Sequence, residues 1–475
     1  MLQFFRLRFN LTLLCLAAVC LGAHADVIRL KNGKTIVADS THESNGRIEY
    51  TIGDNSFAIP GALVEKIDTG GARPVPTTRE PLPPVEVPQM REPAGTAQEL
   101  NSTVIHGGRI DADALKTIED QGVPERSAAA NFLAAQFEER QNNFPAAGRY
   151  LQTALTFKPD DGVLLEQYAA VLLQLNRKAE SVSFAERAAH ASPQSGETLA
   201  VLGYAYYQND RNRDAIAAWK KSLDLRPSAQ VRQLLERAQR ESAAEAEFRQ
   251  QESSHFVLRY EGSHVLDSLR SEILNVLETQ YNTLQNDLGV TPRYSIAVSL
   301  YTEQAFFDVT QAPAWTAALN DGKIRIPVSG LTVMTPELTR VLRHELTHSF
   351  IAQVTHGNVP QWLNEGIAQL EEPATTSHVG TRLAAVYASG NQIRLNQLEG
   401  SFQSYSAPEA MVAYAEALAA AECIRTNYGV GDLARILQRL GEGQPIESAL
   451  RNTIHGGYAQ FEGELADYLK RNYGQ

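Results

Sequence analysis

Residues 343–350 read RHELTHSF, and the reading of this octapeptide decides what the C-terminal half of the chain is. It lies within TPELTRVLRHELTHSFIAQVTHG, residues 335–357, where Thr335 suits a helix N-cap, Pro336 the first helical position, Glu337 the positive end of the helix dipole and Gly357 the stop. On such a helix His344 and His348 share a face one turn apart, so their imidazoles can converge on one metal ion. Glu345 points about 100° away around the axis. That makes it a poor third ligand but sets its carboxylate beside a water held by the ion. Two nitrogens to hold a metal and one carboxylate to take a proton is the division of labour a zinc hydrolase needs.

A third ligand separates a site from a coincidence. The metzincin pattern places a glycine three residues past the second histidine and a further histidine three beyond it; here those positions hold Ile351 and Val354, with His356 two residues out of register. Downstream stands VPQWLNEGIAQLEE, residues 359–372, in which Pro360 can start a second helix whose apolar face is Trp362, Leu363, Ile367 and Ala368. Glu365 lies on it, 17 residues past His348. A turn through Gly357 and an antiparallel return would bring its carboxylate back to the two histidines.

These paired motifs resemble the gluzincin metallopeptidases, and more closely the Peptidase MA-like group, in which a strand, the HExxH helix and a WLNEG(I/L)A helix follow in this order. The resemblance runs from near His255 to the C-terminus. It implies an α+β, thermolysin-type catalytic domain with Zn²⁺ bound by His344, His348 and Glu365 and with Glu345 as general base. It also implies a role for Tyr414 in MVAYAEALAAAECIRTNYG, residues 411–429, as donor to a developing oxyanion, although Ala417 stands where the family often has Gly or Ser. In a second departure, thermolysin-like members carry an acid four residues past the ligand glutamate to orient a histidine, and this chain has Gln369 there. Glu371 and Glu372 read as a solvated helix end. The segment TAALNDGKIRIPVSG holds no glutamate of the kind that anchors a substrate's amino terminus, so endopeptidase action is expected.

The rest of the chain frames this domain. At 475 residues it is long enough for about three domains. A net charge of −12 with 43% hydrophobic residues describes a globular protein with no electrostatic case for nucleic acid. At the N-terminus Arg6 and Arg8 precede an apolar run from Phe9 to Gly22 and the small residues Ala23 and Ala25, a pattern that predicts a secretory signal cleaved after Ala25. The run is shorter than the roughly 20 residues of a membrane span, so no stable span is expected after cleavage. Cleavage would also remove Cys15 and Cys20, leaving Cys423 as the one thiol and core burial as the source of stability. An exported chain without disulfides fits a bacterial periplasm.

Residues 26–70 alternate apolar and polar positions around Asn32-Gly33 and Asn45-Gly46, which predicts a small β module of four or five strands. Residues 71–93 are proline-rich, and a linker is expected over 71–126. Over 127–248 the prolines Pro159, Pro193 and Pro227 recur every 34 residues. Small residues recur in the same register: Ala135, Ala169 and Gly203; Ala147, Ser181 and Ala215; Ala154, Ala188 and Ser222. This segment resembles three tetratricopeptide repeats, followed by a polar capping helix over 228–248. Such a stack acts either as a rigid spacer or as a groove for a protein partner. Residues 249–475 form the catalytic domain. The chain thus reads as an exported zinc-dependent endopeptidase acting on peptide or protein substrates. Its rival is a catalytically silent tetratricopeptide scaffold, or an envelope assembly factor, that retains a peptidase-like domain.

Overall fold

The computed structural model describes residues 26–69 and 96–474, apart from 32–34, 39, 45, 53–54, 142, 176, 263–264, 293, 312–317, 329–330, 373, 403–404 and 406. The expected signal and the proline-rich run 71–93 lie outside the described residues. Two compact units are present.

The first unit holds six strands rather than four or five: β1 (Asp26–Leu30), β2 (Thr35–Ala38), β3 (Ser40–Ser44), β4 (Arg47–Ile52), β5 (Asn55–Pro60) and β6 (Val64–Asp68). They form two antiparallel three-stranded sheets, ordered β2-β1-β6 and β3-β4-β5. Val27, Ile28, Ala38 and Ile48 are buried, while β3 (STHES) is too polar to announce itself and is held by pairing with β4. Gly46 takes a left-handed φ of +73° at the β3–β4 turn, as an Asn-Gly hairpin requires.

The second unit begins with α1 (Thr96–Val104), a short hairpin of β7 (Ile105–His106) and β8 (Arg109–Ile110), and α2 (Ala112–Asp120). A linker reaching residue 126 is therefore incorrect over its second half. Leu100, Val104, Leu115 and Ile118 form an apolar face that is buried against Ala130, Leu133 and Ala134 of the next helix, and this burial, not intrinsic propensity, orders the segment.

Six helices then stack as three hairpins: α3 (Pro124–Arg140) with α4 (Phe144–Phe157), α5 (Gly162–Gln174) with α6 (Lys178–Ala191), and α7 (Gly196–Gln208) with α8 (Asn212–Leu225). The small-residue series explain how they approach: Ala135, Ala147, Ala154, Ala169, Ser181, Ala188, Ala215 and Ser222 are all buried. At Gly203 the fit is tightest. A Cβ there would lie 2.4 Å from Trp219 Nε1, and that indole is itself buried and donates to Ala200 O at 3.0 Å.

Helix α9 (Ala229–Ala244) packs Val231, Leu234, Leu235 and Ala238 into the core of the last repeats, as a cap does, but its charges do not all face water. Its Arg237 and Glu241 are buried against the mixed α and β part that follows. That part comprises β9 (Phe248–Glu252), β10 (Phe256–Glu261), α10 (Asp267–Leu288), β11 (Ile296–Tyr301), α11 (Glu303–Thr310), β12 (Leu319–Asn320), β13 (Ile324–Pro327) and then helices only: α12 (Pro336–Thr355), α13 (Gln361–Glu371), α14 (Gly380–Ala388), α15 (Ala407–Tyr428), α16 (Val430–Gly441), α17 (Ile446–Ile454) and α18 (Tyr458–Tyr473). The sheet order is β12-β13-β11-β10-β9, with β10, β11 and β13 parallel and both edge strands antiparallel. Glu241 Oε1 accepts from Lys323 Nζ at 2.9 Å and lies 3.2 Å from Arg325 Nη2, and its Oε2 accepts from Tyr207 OH at 2.6 Å. Arg237 pairs with Asp321, and Tyr301 OH donates to Glu245. So the repeats join the sheet through buried, paired charges. Among the described residues no helix is long and apolar enough to cross a membrane.

Two outcomes follow from this packing. Gly203→Ala drives a methyl into a fixed indole and should lower stability by about 1–3 kcal/mol in denaturant titration. Burial alone would raise the Glu241 pKa, but Arg325 and Lys323 outweigh it and hold the carboxyl well below its ordinary value. A depressed acid stabilises the fold above its unfolded pKa, and that contribution is lost as pH falls through the folded value. Glu241→Gln leaves two buried cations short of a counter-charge, so an unfolding curve at neutral pH should show a loss of about 3–5 kcal/mol, and the loss should shrink in acid.

Candidate metal centre

The metal-binding potential of this fold is built where α12 and α13 cross. Thr335 caps α12 by accepting from Leu338 N at 3.1 Å, Pro336 opens it, and the chain leaves it through left-handed His356 (φ +52°) and Gly357 (φ +78°). The reversal brings α13 back across α12. Gly366 is what lets α13 seat on α15: a Cβ there would fall 2.3 Å from Ala417 O and 2.9 Å from Ala421 Cβ. Small residues at 366, 417 and 421 therefore decide how deep Glu365 sits, a role that the Ala417 position did not announce.

The structure brings together His344, His348 and Glu365, all buried, with one candidate ligand atom from each within 4.8 Å of the others. His344 Nε2 is 3.5 Å from Glu365 Oε2, and His348 Nε2 is 3.9 Å from Glu365 Oε1. Ligands at about 2.0–2.1 Å from a tetrahedral zinc stand about 3.3–3.5 Å apart, so a small contraction would close the set on an ion. Glu345 lies beside it, fully buried, and neither of its carboxylate oxygens has a hydrogen-bond partner among the described residues. A bare buried carboxylate next to two imidazoles and a second carboxylate fits a site that receives a cation and water.

The second layer of contacts differs from the expectation. Glu372 is not a solvated helix end: it is buried, bonds His344 Nδ1 and pairs with Arg340. It stands two turns beyond Glu365, on the same face of the helix, and supplies the orienting carboxylate that Gln369 lacks. Gln369 instead donates to Tyr414 O at 3.0 Å and to Glu365 O at 3.3 Å, tying α13 to α15. Glu371 is held by Arg343. His348 Nδ1 faces Asn364 Oδ1 at 3.0 Å, and Gln361 Nε2 donates to Glu365 Oε1 at 2.9 Å. Asn320, at the end of β12, donates to Glu345 O and Ser349 Oγ, both at 2.7 Å, and anchors α12 to the sheet edge. Glu372, Asn364 and Asn320 are the supporting residues that motif reading missed. For Asn364 and Glu372 the signal was present, since both belong to the helix that carries Glu365.

Burial pushes the Glu345 carboxyl up to about 8, with Glu365 and Glu372 adding to the rise and His344 opposing it. Burial pulls His344 down, but Glu372 and Glu365 prevail and raise it to about 10, whereas burial dominates at His348 and lowers it to about 4. The carboxylates of Glu365 and Glu372 thus favour positive charge at His344, the same preference that would favour a cation between these side chains. Tyr414 is buried, its ring set edge-on to Phe402 with centroids 5.2 Å apart. Burial, then the charges of Glu365 and Glu345, hold its phenol well above the ordinary tyrosine value, so it stays a neutral donor. Glu372→Ala frees the His344 ring and should weaken Zn²⁺ affinity about 10–100-fold in a competition titration with a chromophoric chelator.

Residues 279–467 match the family model of the Peptidase MA superfamily. Among solved structures, MamA from Desulfovibrio magneticus RS-1 (residues 41 to the end) is similar at 19% identity, with 28% of this chain and 75% of that chain covered and a TM-score of 0.25. A mutant O-GlcNAc transferase from Thermobaculum terrenum is similar at 12% identity over 74% of this chain and 98% of that chain, with a TM-score of 0.23. No curated protein matches the chain. The matched stretch, from α10 into α18, is thus similar to the Peptidase MA superfamily, and in this chain it follows three helical hairpins and a small β module.

Proposed function

We propose that the protein is an exported zinc-dependent endopeptidase of gluzincin type, in which His344, His348 and Glu365 hold the ion and Glu345 is the general base. The observation that carries this reading is the meeting of those three side chains in one buried pocket beside a carboxylate with no hydrogen-bond partner among the described residues. When bound, Zn²⁺ supplies Lewis-acid activation of a water molecule and of the scissile carbonyl. The protein's own groups do the rest. Glu372 holds His344 with its Nδ1 protonated and Nε2 turned inward, and Asn364 does the same for His348. Glu345, whose pKa falls once a cation sits beside it, takes a proton from the attacking water and delivers it to the leaving amine. The neutral Tyr414 phenol donates to the carbonyl oxygen as negative charge gathers there, without adding a charge of its own.

The first 25 residues are assigned to export into a periplasm on their composition, and the repeats are assigned to protein recognition. The match of residues 279–467 to the Peptidase MA superfamily supports a peptide substrate, and the helical hairpins support a protein-binding surface. The scaffold reading predicts a different behaviour. Glu345→Gln should retain Zn²⁺ at wild-type stoichiometry and lose at least ~100-fold in cleavage of an unfolded casein substrate. Equal turnover by the variant would remove Glu345 as the base, and chelator-insensitive or absent turnover by wild type would favour the silent scaffold.

A further inference from the structure

The second unit contains a cleft of about 300 Å³ between the repeats and the catalytic domain, a volume at the lower end of ligand sites. One wall is repeat surface: Leu173 and Gln174 at the end of α5, Lys178 at the start of α6, and Tyr204 and Gln208 on α7. The other wall is catalytic, reaching His348 and Asn364 of the metal centre. A single cavity therefore runs from the repeats to a proposed zinc ligand.

Its charges are unequal. Asp321, the one acid among the described lining residues, is already committed to Arg237 and Arg325. Lys178 is the cleft's cation, and among the described residues no carboxylate lies within ion-pair distance of its ammonium. Asp210 acts on it from farther off, but Asp210 is paired with Lys323 and Arg259. Burial lowers the Lys178 pKa to about 8 despite Asp210, as for an ammonium whose counter-charge is incomplete. Gly322 lines the cleft beside it: a Cβ there would make ordinary van der Waals contact, 3.6 Å from both Lys178 Nζ and Gln208 Oε1. Tyr204, Tyr294 and Ile296 supply apolar surface on either side of this polar point.

We propose that this cleft binds the peptide chain presented to the metal centre and that Lys178 selects segments carrying a carboxylate, from either an acidic side chain or a free C-terminus. The proposal rests on the peptidase reading and names its substrate class. Selection is then made by the repeats at the mouth of the site, not by a remote groove.

The test uses full-length Glu345→Gln protein, so that binding is read without cleavage, and fluorescence anisotropy with three otherwise identical labelled nonapeptides. One is neutral and amidated, one is amidated with a single aspartate, and one is neutral with a free C-terminus. At least one carboxylate peptide should bind about tenfold tighter than the neutral one, and which one does identifies the source of the carboxylate. Adding Lys178→Gln should abolish the difference, Lys178→Glu should invert it, and Lys178→Arg should preserve it, with melting curves confirming that each variant is folded. Equal binding of all three peptides, no binding of any, or a preference that survives Lys178→Gln would overturn the proposal. Turnover by wild type is measured separately. Lys178-dependent preference in a protein that cleaves nothing would sink the peptidase reading alone, and cleavage without preference would sink this one alone.

Discussion

The constraint on which the site depends is electrostatic. Glu345, Glu365 and Glu372 are buried within one pocket together with two imidazoles. Three carboxylates in a dry interior repel one another, and each would neutralise itself by taking up a proton unless a positive charge were supplied. The protein supplies positive charge through Arg340, which pairs with Glu372, and a cation held by His344, His348 and Glu365 would supply more. On this view the geometry of α12 and α13 and the imbalance of charge between them are two aspects of one arrangement, since a set of ligands close enough to share an ion is also close enough to repel without it.

The same physics, with a different solution, joins the repeats to the five-stranded sheet. At that junction Glu241, Lys323, Arg325, Arg237 and Asp321 are buried but paired within the chain, so nothing external is needed. A buried network of this kind adds little net stability over an apolar contact yet penalises any other register heavily. It therefore suits a junction whose orientation matters. Asp321 and Asn320 are adjacent in sequence: the first belongs to the junction network and the second bonds the backbone carbonyl of Glu345. Repeats, sheet edge and α12 are thus held by neighbouring residues of one short turn.

Where local chemistry was strong, the fold was legible in the residues. The 34-residue proline period and its small-residue series foretold the three hairpins, because helices can approach closely only where side chains are small. Thr335, Pro336 and Gly357 foretold the limits of α12. Helix α1 and the turn-rich segment to residue 120 were illegible, since their order comes from burial against α3. The polar strands β3 and β9 were missed for the same reason: backbone pairing, not side-chain pattern, makes them strands. Helix α9 looked like a solvated cap because charges normally face water, and Glu241 and Arg237 are charges whose partners lie more than 80 residues away in sequence.

The sequence by itself determined the chemistry available here: two histidines one turn apart, a carboxylate beside them, and a second helix bearing Glu365. These are properties of helical periodicity, which acts over a few residues. Only the tertiary structure decided that Glu372 rather than residue 369 orients His344, that Gly366 lets α13 settle onto α15, and that Lys178 of the repeats shares a cavity with His348. Those outcomes depend on how distant surfaces meet, and contact between distant surfaces is set by packing and charge pairing that no local pattern encodes.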